Sequence, residues 1–227
     1  MNRPYQLITF DVYTALFDIE NSLLPRVIKV LGEAVDGLTL IRTWRAKQLE
    51  YALISNSLAG QRISFRVITG RSLDYALGRS GVDLSEAERD ALVMAWHDLQ
   101  PWPEANDVLS AVKALGYSIG MLSNGDHADL SALQQCVKED FDYVFSSERA
   151  GHYKPHPSVY ALPLEELGID GSQILHVAGS TTDTHGTKSA GLPCYWSNRR
   201  GDLVLDAACK PDYEFEDLNG LIGVLHG

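Results

Sequence analysis

The sequence contains four short groups of polar residues that could perform chemistry. Each lies where an apolar run ends or where a helix is predicted to begin. They are Asp11, Ser123-Asn124-Gly125, Lys154-Pro155 and Gly179-Ser180-Thr181-Thr182-Asp183. A carboxylate at such a point can act as a nucleophile or a base, and a nearby ammonium group keeps it charged. Because open α/β sheets collect their functional residues at the carboxyl ends of strands, the four groups predict one site at one sheet edge.

Each group is a weak signal when it is taken alone. An aspartate after a strand is commonly a helix cap or a turn former, and Ser-Asn-Gly is a common turn. Lys-Pro is a common helix start. The order and spacing of all four along one chain form the stronger signal.

The apolar pattern predicts an α/β fold with an insertion. From residue 100 onward, strands alternate with helices, which predicts a doubly wound, mostly parallel sheet. Between 17 and 99 the periodicity is helical and no strand is evident. Ser85 and Glu88 form a capping-box pattern within that segment. We expect a core domain of residues 1–16 and 100–227 and a helical domain of residues 17–99.

The individual elements follow from the same periodicities. Strands are predicted at 6–10, 118–122, 143–146, 174–178 and 194–197, and a final surface strand and helix within 210–227. Helices are predicted at 23–35, 40–58, 64–79, 85–99, 104–115, 129–137, 155–167 and 183–190.

The composition limits the possible functions. The chain has 227 residues, of which 45% are hydrophobic and 22% charged, as in ordinary soluble globular proteins. Its net charge of -11 argues against nucleic-acid binding, which needs a basic face. Neither a membrane span nor a signal peptide is evident, so we expect a cytoplasmic protein. The three cysteines lack the spacing of a disulfide framework or a zinc site.

The motifs resemble those of the haloacid dehalogenase (HAD) superfamily over essentially the whole chain. Within it, the closest resemblance is to the L-2-haloacid dehalogenases. The matching residues are Asp11-x-Tyr13, Leu122-Ser123-Asn124-Gly125, Lys154-Pro155-x-x-x-Val159-Tyr160, Asp183 and Trp44-Arg45-x-Lys47-Gln48-Leu49-Glu50-Tyr51. The last of these looks like the cap-helix motif of that family. Superfamily phosphatases usually carry a second aspartate as general acid where this chain has Tyr13.

The resemblance implies a Rossmann-like HAD core with an inserted helical cap. It also implies a hydrolytic dehalogenase that converts short 2-haloalkanoic acids to 2-hydroxy acids and halide through an aspartyl ester. No cofactor and no metal would take part. The expected partner is the small haloacid substrate, and dimers are usual among similar enzymes.

The roles of individual residues are also implied by the resemblance. Asp11 would be the nucleophile, and Arg45 with Asn124 would hold the leaving halide. Ser123 would anchor the substrate carboxylate with nearby backbone N–H groups.

Five further residues complete the predicted site. Lys154 would keep Asp11 ionised, and Asp183 would orient or deprotonate the water that opens the ester. Tyr160 would hold the polar network. Tyr13 and Ser180 are counted with the binding residues.

The sequence departs from the family pattern in two motifs. Thr14-Ala15 stands where Gly-Thr is usual, so a hydroxyl near the nucleophile is missing at Ala15. Thr14 would be strained if that position needs a positive φ. Ser180 stands where an asparagine is typical, and Thr182 where an aromatic residue often closes the pocket. These departures bear on substrate range and efficiency.

Two other functions remain open at this point. A magnesium-dependent phosphatase could assemble its metal site from Asp11, the carbonyl of Tyr13 and Asp183. A non-catalytic homologue could bind small anions at Asp11. The histidines, including His176 and His185, lack metal-ligand spacing, so surface or capping roles are expected for them. Trp96 and Trp102 are expected to be packing residues.

Overall fold

The computed structural model describes residues 3–32, 35–58 and 60–226. Its strands are β1 (Leu7–Phe10), β2 (Phe17–Asp18), β3 (Gln100–Pro101), β4 (Ser118–Ser123), β5 (Tyr143–Ser146), β6 (Ile174–Ala178), β7 (Cys194–Ser197) and β8 (Tyr213–Phe215). Six of them form one parallel sheet with the order β5-β4-β1-β6-β7-β8. β4 flanks the central β1 on one side and β6 flanks it on the other. The sheet is therefore doubly wound, as predicted, with a switch point at the carboxyl end of β1.

The helices are α1 (Ile19–Leu31), α2 (Gly37–Ser55), α3 (Phe65–Ser80), α4 (Glu86–Met94), α5 (Ala105–Ala114), α6 (His127–Gln134), α7 (Ser147–Ala150), α8 (Pro157–Leu167), α9 (Thr181–Ser189) and α10 (Gly220–His226). None of the helices within the described ranges combines the length and the hydropathy that a membrane span needs.

Helices cover both faces of the sheet. Ile8 of β1 belongs to the apolar cluster that includes Val108 of α5 and Leu221 of α10. The next residue back, Leu7, belongs to a second cluster with Val159 of α8. Successive strand residues point to opposite faces, so β1 is buried on both sides and is apolar almost throughout.

Helices α1 to α4 lie between β1 and β3, and polar side chains cap their first turns. Asp18, Asp36, Ser64 and Ser85 each accept a hydrogen bond from the backbone N–H three residues later. The predicted capping box of Ser85 and Glu88 is present in both directions. These caps satisfy N–H groups that would otherwise lack partners at each helix start.

The structure corrects several details of the predicted elements. The helix predicted at 23–35 spans Ile19–Leu31, and the short helix α7 was not predicted. No strand was predicted between 17 and 99, but β2 pairs with β3 in a two-residue antiparallel ladder. The pairing joins the points at which the chain leaves and re-enters the sheet region, which local periodicity does not reveal. The helix predicted from Pro155 begins instead at Pro157, because His156 is its N-cap and accepts from the Ser158 N–H.

Candidate active site

Asp11 is held at the carboxyl end of the central strand by the turn that follows it. Residues Val12–Leu16 form a π-helical turn, with Asp11 as its N-cap. Asp11 Oδ2 accepts from the Thr14 N–H at 3.0 Å and from the Thr14 hydroxyl at 2.7 Å. Both concerns raised by Thr14-Ala15 are thereby answered. Thr14 has no positive φ, and its own hydroxyl lies beside the carboxylate.

Lys154 lies between the two aspartates of the site. Its Nζ is 3.4 Å from Asp11 Oδ1 and 3.0 Å from Asp183 Oδ2. All three side chains are at least 90% buried. One ammonium therefore neutralises part of the charge of two buried carboxylates, each of which would be costly to bury unpaired.

Asp183 sits in the first turn of α9, and three side chains lie within hydrogen-bond distance of its carboxylate. Lys154 and His176 Nε2 each lie 3.0 Å from its Oδ2, and the Tyr160 hydroxyl donates to its Oδ1 at 2.7 Å. Burial by itself would raise the pKa of Asp183. Lys154 and the hydrogen bonds from His176 and Tyr160 more than offset burial and hold the pKa well below its usual value. Asp183 is therefore an ionised acceptor at neutral pH.

Two glycines allow these groups to approach each other. A Cβ on Gly179 would lie 2.3 Å from the Ala15 nitrogen, so only glycine lets the loop after β6 pack against the turn after β1. A Cβ on Gly186 would lie 2.3 Å from the Tyr160 hydroxyl. The position of Asp183 beside Asp11 and Tyr160 thus depends on close backbone approach.

Arg45 projects from α2 toward the turn that carries Asp11. Its guanidinium carbon is 5.5 Å from the Tyr13 ring centroid and 5.7 Å from that of Trp96. Gln48, one helical turn later, accepts from Arg45 Nη1 and in turn donates to Thr69. Burial lowers the pKa of Arg45 to about 10, against the opposing effects of Asp11 and Tyr13. The guanidinium is therefore charged at neutral pH.

The remaining predicted binding residues differ in their surroundings. Ser123 is fully buried, and its hydroxyl has no hydrogen-bond partner among the described residues. Asn124 is buried and accepts from the Lys154 N–H at 2.7 Å, which ties the loop after β4 to Lys154. Ser180 caps α9 by accepting from the Asp183 N–H, so its hydroxyl is engaged in helix capping. Tyr13 is buried, and its ring packs on Phe65.

The sequence-based expectation for His176 was wrong. His176 is fully buried on β6, with Nδ1 2.9 Å from Thr9 Oγ1 and Nε2 within reach of Lys154 and Asp183. It therefore has no surface or capping role. The available signal was its position inside an apolar strand three residues before Gly179, where a polar side chain needs a buried partner.

Two other residues were also missed as parts of the site. Gln48 was noted only as a letter of the cap-helix motif, although its spacing of three from Arg45 predicts contact on a helix. Trp96 does pack, as expected, but its ring packs against Arg45 as well as against Trp44.

Protein donors lie between and around the two carboxylates. Both oxygens of Asp183 are engaged by donors, and Lys154 Nζ occupies the space between Asp183 and Asp11 where a shared cation would sit. The described residues contain no cluster of three or more His, Cys, Asp or Glu side chains able to hold a metal ion. Among the carboxylate oxygens of Asp11 and Asp183, Asp11 Oδ1 has the longest contact, 3.4 Å to Lys154 Nζ.

Comparison with known proteins identifies the family. A profile of haloacid dehalogenase-like hydrolases matches residues 5–191. The (S)-2-haloacid dehalogenase of Pseudomonas sp. (strain YL) is 32% identical over 219 residues, covering 95% of this chain and 92% of that protein. Haloacetate dehalogenase H-2 of Moraxella sp. (strain B) is 30% identical over 225 residues, covering 98% and 99%.

Solved structures agree with the sequence comparison. The structure of an L-2-haloacid dehalogenase superimposes with a TM-score of 0.91 at 26% identity, covering 98% of this chain and 99% of that one. The family profile spans far more than half of the chain, and the doubly wound, parallel sheet is the core fold that the resemblance implied. This chain belongs to the haloacid dehalogenase-like hydrolase family.

Proposed function

We propose that the chain hydrolyses the carbon–halogen bond of short 2-haloalkanoic acids, with release of a 2-hydroxy acid and halide. The observation that supports this most directly is Lys154 between Asp11 and Asp183, with the charged Arg45 on the other side of Tyr13. Such a site offers a nucleophile, a separate base and cations for two anions. The names of the similar dehalogenases point to the same substrate class.

The first step of the proposed reaction uses Asp11 Oδ1. The Thr14 N–H and hydroxyl hold Oδ2 and orient the carboxylate. Oδ1 attacks C2 of the substrate and displaces the halide, whose developing charge is stabilised by Arg45 and Asn124. The Ser123 hydroxyl, buried and unpartnered within the described residues, supplies a donor for the substrate carboxylate.

The second step opens the ester with water. Asp183 is ionised and held by donors from Lys154 and Tyr160, so it can orient a water molecule and accept its proton. The water oxygen adds to Cγ of Asp11, and the product leaves with an oxygen that came from Asp11. Helices α1 to α4 would act as a cap that brings Arg45 to this site, with residues 17–99 as the cap and 1–16 and 100–227 as the core.

The alternative of a magnesium-dependent phosphatase has less support. Tyr13 stands at the position of the general acid, and burial raises its pKa well above the usual value, so it gives up its proton only with difficulty. A homodimer and a cytoplasmic location stay predictions. A non-catalytic homologue would bind small anions at Asp11 without turnover.

The test is halide release from 2-chloro-, 2-bromo- and 2-fluoroalkanoic acids, with a chelator present throughout. The proposal expects stoichiometric halide and 2-hydroxy acid that are insensitive to the chelator. Phosphatase activity that requires magnesium, with no halide release, would show the proposal to be wrong.

A further inference from the structure

His176 occupies the centre of the buried polar cluster beneath Asp11. Its Nδ1 lies 2.9 Å from Thr9 Oγ1, and its Nε2 lies 3.2 Å from Lys154 Nζ and 3.0 Å from Asp183 Oδ2. The ring of Tyr160 packs edge-on against it at 6.1 Å. A fully buried imidazole costs more than an apolar side chain would at a central strand, so its polar contacts require an explanation.

Nε2 faces one group that can only donate and one that can only accept. With the ring hydrogen on Nδ1, Nε2 accepts from Lys154, and with the hydrogen on Nε2 it donates to Asp183. The Thr9 hydroxyl can serve either tautomer. Burial and Lys154 lower the pKa of His176 against the opposing effect of Asp183 and Asp11, so the ring is neutral at neutral pH. The neutral Nε2 can therefore serve as acceptor for Lys154 or as donor to Asp183, one at a time, and it adds no second cation to the cluster.

We propose that His176 is a positioning residue that holds Lys154 and Asp183 in place while the ester on Asp11 is hydrolysed. The inference rests on the proposed dehalogenase function. Once the halide has left, Asp11 is a neutral ester and attracts Lys154 less than the carboxylate did. The ammonium then needs a partner whose position does not change during the reaction. His176, anchored to β1 through Thr9, is such a partner.

His176 would support the hydrolysis of the Asp11 ester by water. The water oxygen bonds to Cγ of Asp11, and one water proton passes to Asp183. The bond from Cγ to the product oxygen then breaks, with its electron pair on that oxygen, which takes the proton from Asp183. The regenerated carboxyl group of Asp11 releases its remaining proton to solvent.

The experiment compares His176→Phe and His176→Gln with the wild-type chain. Phe fills the space without polar contacts, and the Gln side-chain amide can both donate to Asp183 and accept from Lys154. Rapid-quench measurements with 2-chloropropionate follow halide release and the 1-carboxyethyl ester on the Asp11 peptide separately. Thr187→Val is the matched control, because Thr187 is buried on α9 and donates to the backbone carbonyl of Asp183 rather than to its carboxylate.

We expect His176→Phe to keep the halide burst within about twofold and to slow ester hydrolysis at least about tenfold, so that the ester accumulates. His176→Gln should recover at least about half of the lost rate on a logarithmic scale. The acid limb of hydrolysis should move to higher pH in His176→Phe. In this variant, with Asp11 esterified, only Lys154 and the Tyr160 hydroxyl lower the pKa of Asp183. That pKa is therefore higher than in the wild type, and Asp183 becomes protonated at a higher pH. Thr187→Val should hydrolyse the ester as the wild type does.

Four outcomes would overturn the inference. A wild-type rate of ester hydrolysis in His176→Phe would show that positioning of Lys154 and Asp183 by the imidazole is not needed for this step. Equal losses in the Phe and Gln variants would exclude positioning by hydrogen bonds, and an equal loss in Thr187→Val would indicate general destabilisation. A wild-type chain that releases no halide would overturn the proposed function as well, whereas the first three outcomes leave that function standing.

Discussion

At the scale of single residues, the site is a set of charges placed so that each has a fixed partner. Asp11 Oδ2 is held by Thr14 and its Oδ1 faces Lys154, which leaves Oδ1 for attack. The identities of Asp11, Lys154 and Asp183 could be predicted from the sequence because each follows a recognisable strand or helix signal. The contacts of His176 could not, since two of them join β6 to β1 and to the distant loop that carries Lys154.

Arg45→Lys should reduce halide displacement at least about tenfold, equivalent to about 1.4 kcal/mol of transition-state stabilisation. The planar guanidinium packs on Tyr13 and Trp96 and is oriented by the hydrogen bond that it donates to Gln48. A compact ammonium cannot reproduce this geometry. The measurement is the burst rate of halide release. Lys47→Arg is the control: Lys47 is half-buried on the same helix and pairs with Glu50, and this variant should be neutral. Unchanged turnover in Arg45→Lys would show that the guanidinium of Arg45 does not take part in halide displacement.

Thr14→Val should slow the same burst by about tenfold, because Asp11 Oδ2 loses a charge-assisted hydrogen bond that orients the nucleophile. Thr14→Ser keeps the hydroxyl and should stay within about threefold of the wild type. A Val variant as fast as the Ser variant would show that the backbone N–H of Thr14 is sufficient. From the sequence, Ala15 indicated that the hydroxyl expected beside Asp11 was missing. The π-helical turn of the structure shows that Thr14, the preceding residue, supplies it.

At the scale of elements, most helices and strands could be predicted because their periodicity and caps are local. The capping box at Ser85, the five predicted core strands and the terminal strand and helix are all present. The β2–β3 ladder could not be predicted, since its two strands lie about 80 residues apart and contain two residues each. The two strands pair because the two ends of the helical segment, 17–99, lie side by side in the folded chain.

Gly179→Ala should destabilise the loop after β6 by about 1–3 kcal/mol and lower turnover. Its Cβ would collide with backbone atoms of Thr14 and Ala15, which cannot move without shifting Asp11. Gly78→Ala is the matched control, because Gly78 is exposed in α3 and a Cβ there meets nothing within 4 Å. The control should be neutral or more stable by up to about 1 kcal/mol. Urea unfolding of both variants tests this, and equal effects would contradict the close-approach explanation.

At the scale of the whole molecule, Arg62 connects the helical segment to the sheet edge. Its guanidinium pairs with Asp126 at 2.6 Å, donates to the Ser147 hydroxyl at 2.9 Å and stacks on Tyr153 at 4.1 Å. A further contact reaches the carbonyl of Asn124, in the loop after β4. No local pattern predicts this contact, because Arg62 lies between helices and its partners are more than 60 residues away.

Arg62→Met should lower the free energy of unfolding by about 3–5 kcal/mol, because it leaves Asp126 buried without its cation. Arg26→Met breaks an exposed pair with Asp98 and should cost at most about 1 kcal/mol. The double variant Arg62→Met, Asp126→Leu should recover part of the loss. Equal costs in the two single variants, measured by urea unfolding, would mean that the Arg62 contact does not hold the segments together.

The central claim is that Asp11 forms an ester that water then opens at the Asp11 carboxyl carbon. It is tested most directly by a single turnover in heavy-oxygen water, with enzyme in excess over 2-chloropropionate. The ester route predicts that the label remains on the Asp11 peptide and that the product hydroxyl carries an original Asp11 oxygen. Mass spectrometry of the peptide and the product reads both. Label in the product with Asp11 unlabelled, from a protein shown to be active, would contradict the covalent mechanism.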